Sequence, residues 1–192
     1  MTALLVLAIF ITLGCAAACT RRLYFACNPI VFHASPWLAF VRRGEGDRVR
    51  RAIAREPRAD WERELLEALA DPNETARAGR INEQLSELDY RLTRWARVPR
   101  VCASIASSAG FLCASLAVRF GLAATSAVAD EVRSDAINAV VLQAVNVAAL
   151  GVAGAAFAIA AQYRARKAAQ TFQRDADALI EALEKTAKTR EE

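Results

Sequence analysis

Hydrophobic and polar positions in this chain are sorted into blocks instead of being mixed. A first uncharged run, Thr2 to Cys19, closes at Arg21 and Arg22. A second runs from Val101 to Val118, with an apolar continuation past Arg119 to Val128 as its further extent, and a third from Ile137 to Ala161 closes at Arg164, Arg166 and Lys167. Crossing a bilayer takes about 20 apolar residues in a helix, so each run predicts a membrane span. Between the first and second runs the pattern changes. Val49, Ala52 and Ile53 share one face of a short helix predicted over Arg48 to Glu56, with Asp47 placed to cap it and Pro57 to stop it. Trp61, Leu65, Leu66 and Leu69 mark the next helix, and Asp71-Pro72-Asn73 a turn. Ile81, Leu85, Leu88, Leu92 and Trp95 then alternate steps of four and three, a heptad spacing that calls for a helical partner within the same chain. That helix is expected to continue through Pro99, kinked there, into the second span. Beyond the third span, Ala165, Ala169, Phe172, Ala176, Leu179, Ile180 and Leu183 hold one helical face up to the charged tail Lys185 to Glu192.

The charges at the ends of these runs give a direction. Basic residues near a span stay on the cytoplasmic side. Arg21 and Arg22 follow the first run with nothing basic before it, so the amino terminus is expected outside and the first span uncleaved. A secretory signal would carry its positive charge ahead of the apolar core. Asp130, Glu131, Arg133 and Asp135 make a net acidic connection between the second and third spans, expected as a loop on the outer face. The predicted layout is an all-α membrane protein with three transmembrane helices and long cytoplasmic helical extensions, in a bacterial inner membrane. Span 1 covers 2–20, the cytoplasmic insert 44–100, span 2 101–128, the outer loop 129–136, span 3 137–161 and the cytoplasmic tail 162–192. The segment 23–41 is apolar and aromatic but broken by Asn28, Pro29, His33 and Pro36, with arginine pairs at both ends. It is read as an extension of the first helix or an interfacial segment, with Tyr24, Trp37 and Phe40 at headgroup depth, and a fourth span stays open as the alternative.

Composition changes this picture little. The 192 residues are 55% apolar and 24% charged with a net charge of +4. The arginines lie beside the apolar runs, interleaved with Asp and Glu, so topology accounts for them without nucleic acid. The five cysteines, Cys15, Cys19, Cys27, Cys102 and Cys113, have no zinc-site spacing and read as small buried residues. With His33 the only histidine, no His-based metal site or Ser/His/Asp triad is expected, and neither a cofactor nor an enzyme motif is present.

Polar residues inside the spans are the candidate functional set. Ser104, Ser108 and Ser115, with Arg119 beyond them, fall on one stripe of the second span. The stripe serves either close helix packing or a polar lining for an ion or water path. Arg119 is expected at the outer interface, where its head can reach water. In the third span Asn138, Gln143 and Asn146 are polar, Asn146 the deepest, and Gly151 and Gly154 allow close backbone contact. Neither the second nor the third span contains an Asp, Glu, Lys or His, so a proton relay would need a carboxylate from a partner.

This layout resembles the MotA/TolQ/ExbB proton-channel family. Ile105-Ala106-Ser107-Ser108-Ala109-Gly110-Phe111-Leu112-Cys113-Ala114 is similar to the family's Ile-Ala-Pro-x-x-Gly-Leu-Leu-Gly-Thr, with Gly110 and the apolar positions matching. Ser107 replaces the proline, and Cys113-Ala114 replace Gly-Thr. Ala155 to Gln162 is similar in character to another family stretch, with Ala156 in place of a proline, and Gly44-Glu45-Gly46-Asp47 looks like the turn that opens the family's insert. The resemblance implies a homo-oligomer, typically a pentamer, around the single-span helix of an ExbD, TolR or MotB-like partner that carries an intramembrane aspartate. It also implies an ion path from which the family's threonine is missing here, with Ser115 next to that position.

Overall fold

A computed structural model describes residues 2–126 and 130–191. Among the described residues seven helices occur, in the order α1 (Thr2–Cys27), α2 (Ala34–Arg42), α3 (Gly46–Arg55), α4 (Asp60–Leu69), α5 (Glu74–Thr93), α6 (Val98–Thr125) and α7 (Asp130–Glu191), and no strand. Among the described residues, three regions each hold a helix long and apolar enough to cross a membrane: Ala3–Cys27, Glu74–Thr125, whose apolar part is α6, and Arg133–Lys185. Segment 23–41 forms no such helix of its own. Its first residues complete α1, a bend follows over 29–32, and α2 starts after His33.

The chain divides into two compact units, one of Met1–Leu23 with Trp95–Arg164, the other of Tyr24–Arg94 with Ala165–Glu192. The first unit is a bundle of α1, α6 and the amino-terminal part of α7. Small side chains fill its interior in two layers. One joins Ala8, Cys113, Ala114, Ala117, Ala144 and Val147; the other joins Cys15, Cys19, Cys102, Ala106, Ala158 and Ala161. These layers set the register: the end of α1, the start of α6 and position 161 of α7 lie at one end of the bundle. Its large apolar side chains point outward, Phe10 with 70% and Leu142 with 63% of their surface exposed. Outward Leu and Phe on helices of this length are what a hydrocarbon solvent selects.

The second unit is built the other way. Trp37, Ile53, Trp61, Leu65, Leu88, Leu92 and Leu179 form a dense core of large side chains under a charged surface. Trp61 Nε1 donates to the Gln84 carbonyl at 2.9 Å, satisfying the one polar atom its burial would strand. Glu62, equally buried, accepts the Phe32 N–H at 2.7 Å and ties the 28–33 connection to α4. The Asn73 side chain caps α5, accepting from the N–H groups of Thr75 and Ala76 at 3.0 and 3.3 Å. The heptad seam of α5 does find its partner inside the chain. Ile81, Leu88 and Leu92 are buried in one core with residues of α4 and with Ala176, Leu179, Ile180 and Leu183 of α7, and Gln173 donates to the Asp89 carboxylate at 2.6 Å.

Several expectations need correction. Trp37 presents no surface to headgroups: it is 2% exposed, in the core of the second unit. Asp47 is not the N-cap of α3, which starts at Gly46 behind Glu45 and holds Asp47 in its first turn. Gly44 precedes it at φ +77°, a left-handed turn that glycine adopts without steric cost. The long helix through Pro99 is interrupted instead of kinked. α5 stops at Thr93, Trp95 takes φ +66°, and Pro99 occupies the first turn of α6, where its missing N–H costs no helical bond. Trp95 therefore lies beyond the seam it was expected to join. Residues 130–136, expected as a loop, are the opening turns of α7, while 127–129, with the expected end of the second span at Val128, lie outside the described residues.

Candidate functional site

The polar residues of the apolar spans all belong to the first unit. Its helices meet through glycine. A Cβ on Gly110 would stand 2.7 Å from the Gly151 Cα, and one on Gly151 would stand 2.7 Å from both the Gly110 Cα and the Ala106 carbonyl oxygen. Those distances are below any real contact, so α6 and α7 cross backbone to backbone, in the manner of small-residue crossings in membrane bundles. Gly154 has the same role toward α1, because a Cβ there would lie 2.7 Å from Thr12 Cγ2. Thr12 holds its hydroxyl on the Ala8 carbonyl at 2.8 Å, which turns its methyl toward the glycine. Thr12 was not singled out from the sequence; a lone threonine in an apolar run gives no signal.

The interior faces dictate where the polar stripe points. α6 buries Cys102, Ala106, Gly110, Cys113, Ala114 and Ala117. Ser104, Ser108, Ser115 and Arg119 consequently lie on its outer surface. They do not pack α6 against its neighbours in the same chain. Ser115 Oγ donates to the Phe111 carbonyl at 2.9 Å, and Ser107, at the family's proline position, donates to the carbonyls of Ala103 and Ser104 at 3.0 and 3.1 Å. Serines in membrane helices can satisfy themselves in this way on their own backbone.

In α7, Val147 points into the bundle with no exposed surface, so Asn146 beside it points out; Gln143 is half-buried at the edge of that face. Among the described residues neither amide side chain is hydrogen-bonded. Asn138 is exposed nearer the start of the helix. Cys113 and Val147 share one interior layer, so Ser115 and Asn146 stand at about the same level of the bundle, both facing outward on neighbouring helices. An unpaired amide facing hydrocarbon costs on the order of a few kcal/mol, and a helix brought alongside would relieve part of that. The arrangement can therefore receive a further helix carrying hydrogen-bonding or ionisable groups.

The other candidates separate from this surface. Cys15, Cys19, Cys102 and Cys113 are buried thiols within the bundle and Cys27 is half-buried. His33 belongs to the second unit, exposed, with its ring 5.2 Å from that of Phe172. Two buried charged groups were missed. Glu62 holds the chain at Phe32 as described, and its place on α4 beside the face of Leu65 and Leu69 was the available signal. Arg22, read only as a flanking charge, is 5% exposed, whereas Arg21 is exposed. Compared with protein-family models, with curated proteins and with solved structures, the chain matches none.

Proposed function

We propose that the chain is a stator-like membrane subunit of an ion-driven, proton-coupled complex of the MotA/TolQ/ExbB type. In this reading it lies in a bacterial inner membrane with its amino terminus outside and with 44–100 and 162–192 in the cytoplasm. It forms a homo-oligomeric ring, pentameric as in the family it resembles, around the single-span helix of an ExbD, TolR or MotB-like partner. The observation that carries the reading is the outward polar surface on otherwise apolar helices, Ser104, Ser108 and Ser115 on α6 and Asn146 on α7. Polar groups on a lipid-facing surface favour assembly, since a neighbouring helix offers partners that hydrocarbon does not. The spans lack a carboxylate to bind the proton, so that group belongs to the partner helix.

The test is proton flux into vesicles holding the chain together with a co-purified single-span partner. Flux is expected, and Asn146→Leu or Ser115→Ala is expected to abolish it without loss of the assembled complex. Absence of a co-purifying partner, or flux indifferent to both substitutions, overturns the reading.

A second reading is a non-conducting scaffold that keeps the ring and docks cytoplasmic proteins on 44–100 and 162–192. One observation favours it. Ala114, at the position of the family's threonine, is buried in the bundle beside Cys113 and brings no hydroxyl to any outer surface. An assembled ring with its partner but without flux would select this reading.

A further inference from the structure

The two ends of the first unit differ in charge. Within Met1–Leu23 and Trp95–Arg164 the only acidic residues are Asp130, Glu131 and Asp135. They share the opening of α7 with Arg133, and Arg119 lies on α6 toward the same end. At the other end stand Arg21, Arg22, Arg97, Arg100 and Arg164, with no acidic residue of the unit among them. The interior layer of Cys19, Cys102 and Ala161, with Val98 packed on it, fixes their common level. Arg21 follows Cys19 by two residues, Arg100 precedes Cys102 by two, Arg97 is adjacent to Val98 and Arg164 follows Ala161 by three. At a rise of 1.5 Å per residue the backbone positions of Arg21, Arg100 and Arg164 fall within about 5 Å of that layer along the axis, and Arg97 stands just before the start of α6. Arg21, Arg97, Arg100 and Arg164 are all exposed. Among the described residues no ion pair involves Arg97, Arg100 or Arg164.

Two aromatic side chains stand at the same end. Trp95 is 57% exposed and Tyr163 69%. Trp95 occupies the left-handed region at φ +66°, which for a non-glycine residue costs about 1 kcal/mol, and a strained conformation of this kind is a pointer to function. Directly inward along the helices lie exposed aliphatic groups, Val101 and Ile105 on α6 and Ile159 on α7. Toward the middle of the bundle the chain runs Arg164, Tyr163 and Ile159 along α7, and Trp95, Arg97, Arg100, Val101 and Ile105 into and along α6, so guanidinium and aromatic groups share the end and aliphatic surface follows them.

We infer that this end of the bundle binds anionic phospholipid, with Arg21, Arg97, Arg100 and Arg164 holding phosphodiester headgroups beside Trp95 and Tyr163 and with the acyl chains on Val101, Ile105 and Ile159. The planar guanidinium fork matches phosphate oxygens, indole and phenol rings settle at headgroup depth, and aliphatic surface suits the chains beneath. Clusters of arginine next to membrane helices attract anionic lipid by roughly fivefold per residue. A soluble phosphate would use the arginines alone and leave the aromatic and aliphatic surfaces without a role. The assignment does not depend on whether the chain conducts ions.

The experiment uses the full chain in nanodiscs of phosphatidylcholine with a minor fraction of phosphatidylglycerol, with retained lipid read by native mass spectrometry after mild extraction. Phosphatidylglycerol is expected to be retained well above its share of the bilayer. Arg97→Gln with Arg100→Gln is expected to lower that enrichment by an order of magnitude or more, two steps of about fivefold. Arg119→Gln, at the other end, is expected to leave it unchanged, and Trp95→Gly to lower it while relieving the backbone. Glycerol phosphate in solution is expected not to displace the lipid; displacement would reassign the site to a free phosphate and overturn the proposal. Equal enrichment in the wild type and the double variant overturns it as well. Should the double variant fail to purify as helical, monodisperse protein, the wild type decides alone. Enrichment at low ionic strength that falls at high ionic strength supports the site, and retention in proportion to bilayer composition at both overturns it.

Discussion

The two units of this chain solve opposite solvent problems with the same secondary structure. In Tyr24–Arg94 with Ala165–Glu192 the large side chains are inside: Trp37, Trp61, Leu65, Leu88 and Leu179 each keep at most 2% of their surface exposed. In Met1–Leu23 with Trp95–Arg164 the buried positions are Ala, Gly and Cys with few exceptions, the Phe residues face out, and the Leu and Ile residues are exposed or only half-buried. Water drives the first arrangement, because burying a large apolar side chain is worth about 1.5–3 kcal/mol there. Hydrocarbon removes that driving force between helices, so close backbone approach takes its place. Apolar content alone thus does not locate a core; the size of the residue on each face does.

The sharpest break should come from Trp61→Ala. It empties the centre of the second unit and leaves the Gln84 carbonyl without its indole donor, a loss of about 3–5 kcal/mol. Hydrogen-exchange protection of the α4 and α5 amides is expected to collapse while that of the α6 amides stays. Gly151→Val acts on the first unit by addition instead of removal. Its branched side chain meets the Gly110 Cα and the Ala106 carbonyl, costing about 1–3 kcal/mol or more, and is expected to lower the unfolding midpoint in detergent. Unchanged stability would show that α6 and α7 do not cross there. Glu62→Leu keeps the volume but strands the Phe32 N–H, for about 1–3 kcal/mol, and should increase proteolysis in the 28–33 connection first.

The smallest effect makes the comparison clearest. Leu88→Ala in the second unit is expected to cost about 2–5 kcal/mol, while Leu112→Ala, on the outer face of α6, should stay within about 0.5 kcal/mol in detergent. Equal losses from these two substitutions would mean that Leu112 is not exposed to the surrounding medium, and the contrast between the units would fail.

Much of this was legible in the chain itself. Three uncharged runs bounded by arginine marked three apolar helices, and the periodic Leu and Ile positions of 61–92 and 165–183 marked the faces that form the second core. The errors fell where local signals compete. Pro99 is compatible with a kink or with a helix start, and only the left-handed turn at Trp95 chose the second. Trp37 looked interfacial because aromatic residues beside arginines usually are, but tertiary packing placed it inside. The candidate site was legible as a stripe; whether the stripe faced inward or outward was not, since helical spacing defines a face without naming what that face meets.

By itself the sequence determined the helical content, the three apolar stretches and the sorting of basic residues to their ends, because these follow from local composition and the geometry of one helix. Only the tertiary structure decided that Gly110 meets Gly151, that Gly154 meets Thr12, and that Ser104, Ser108, Ser115 and Asn146 are turned away from the bundle. Those outcomes depend on which small residues from distant parts of the chain fit against one another, and close packing between helices has no signature within either helix alone.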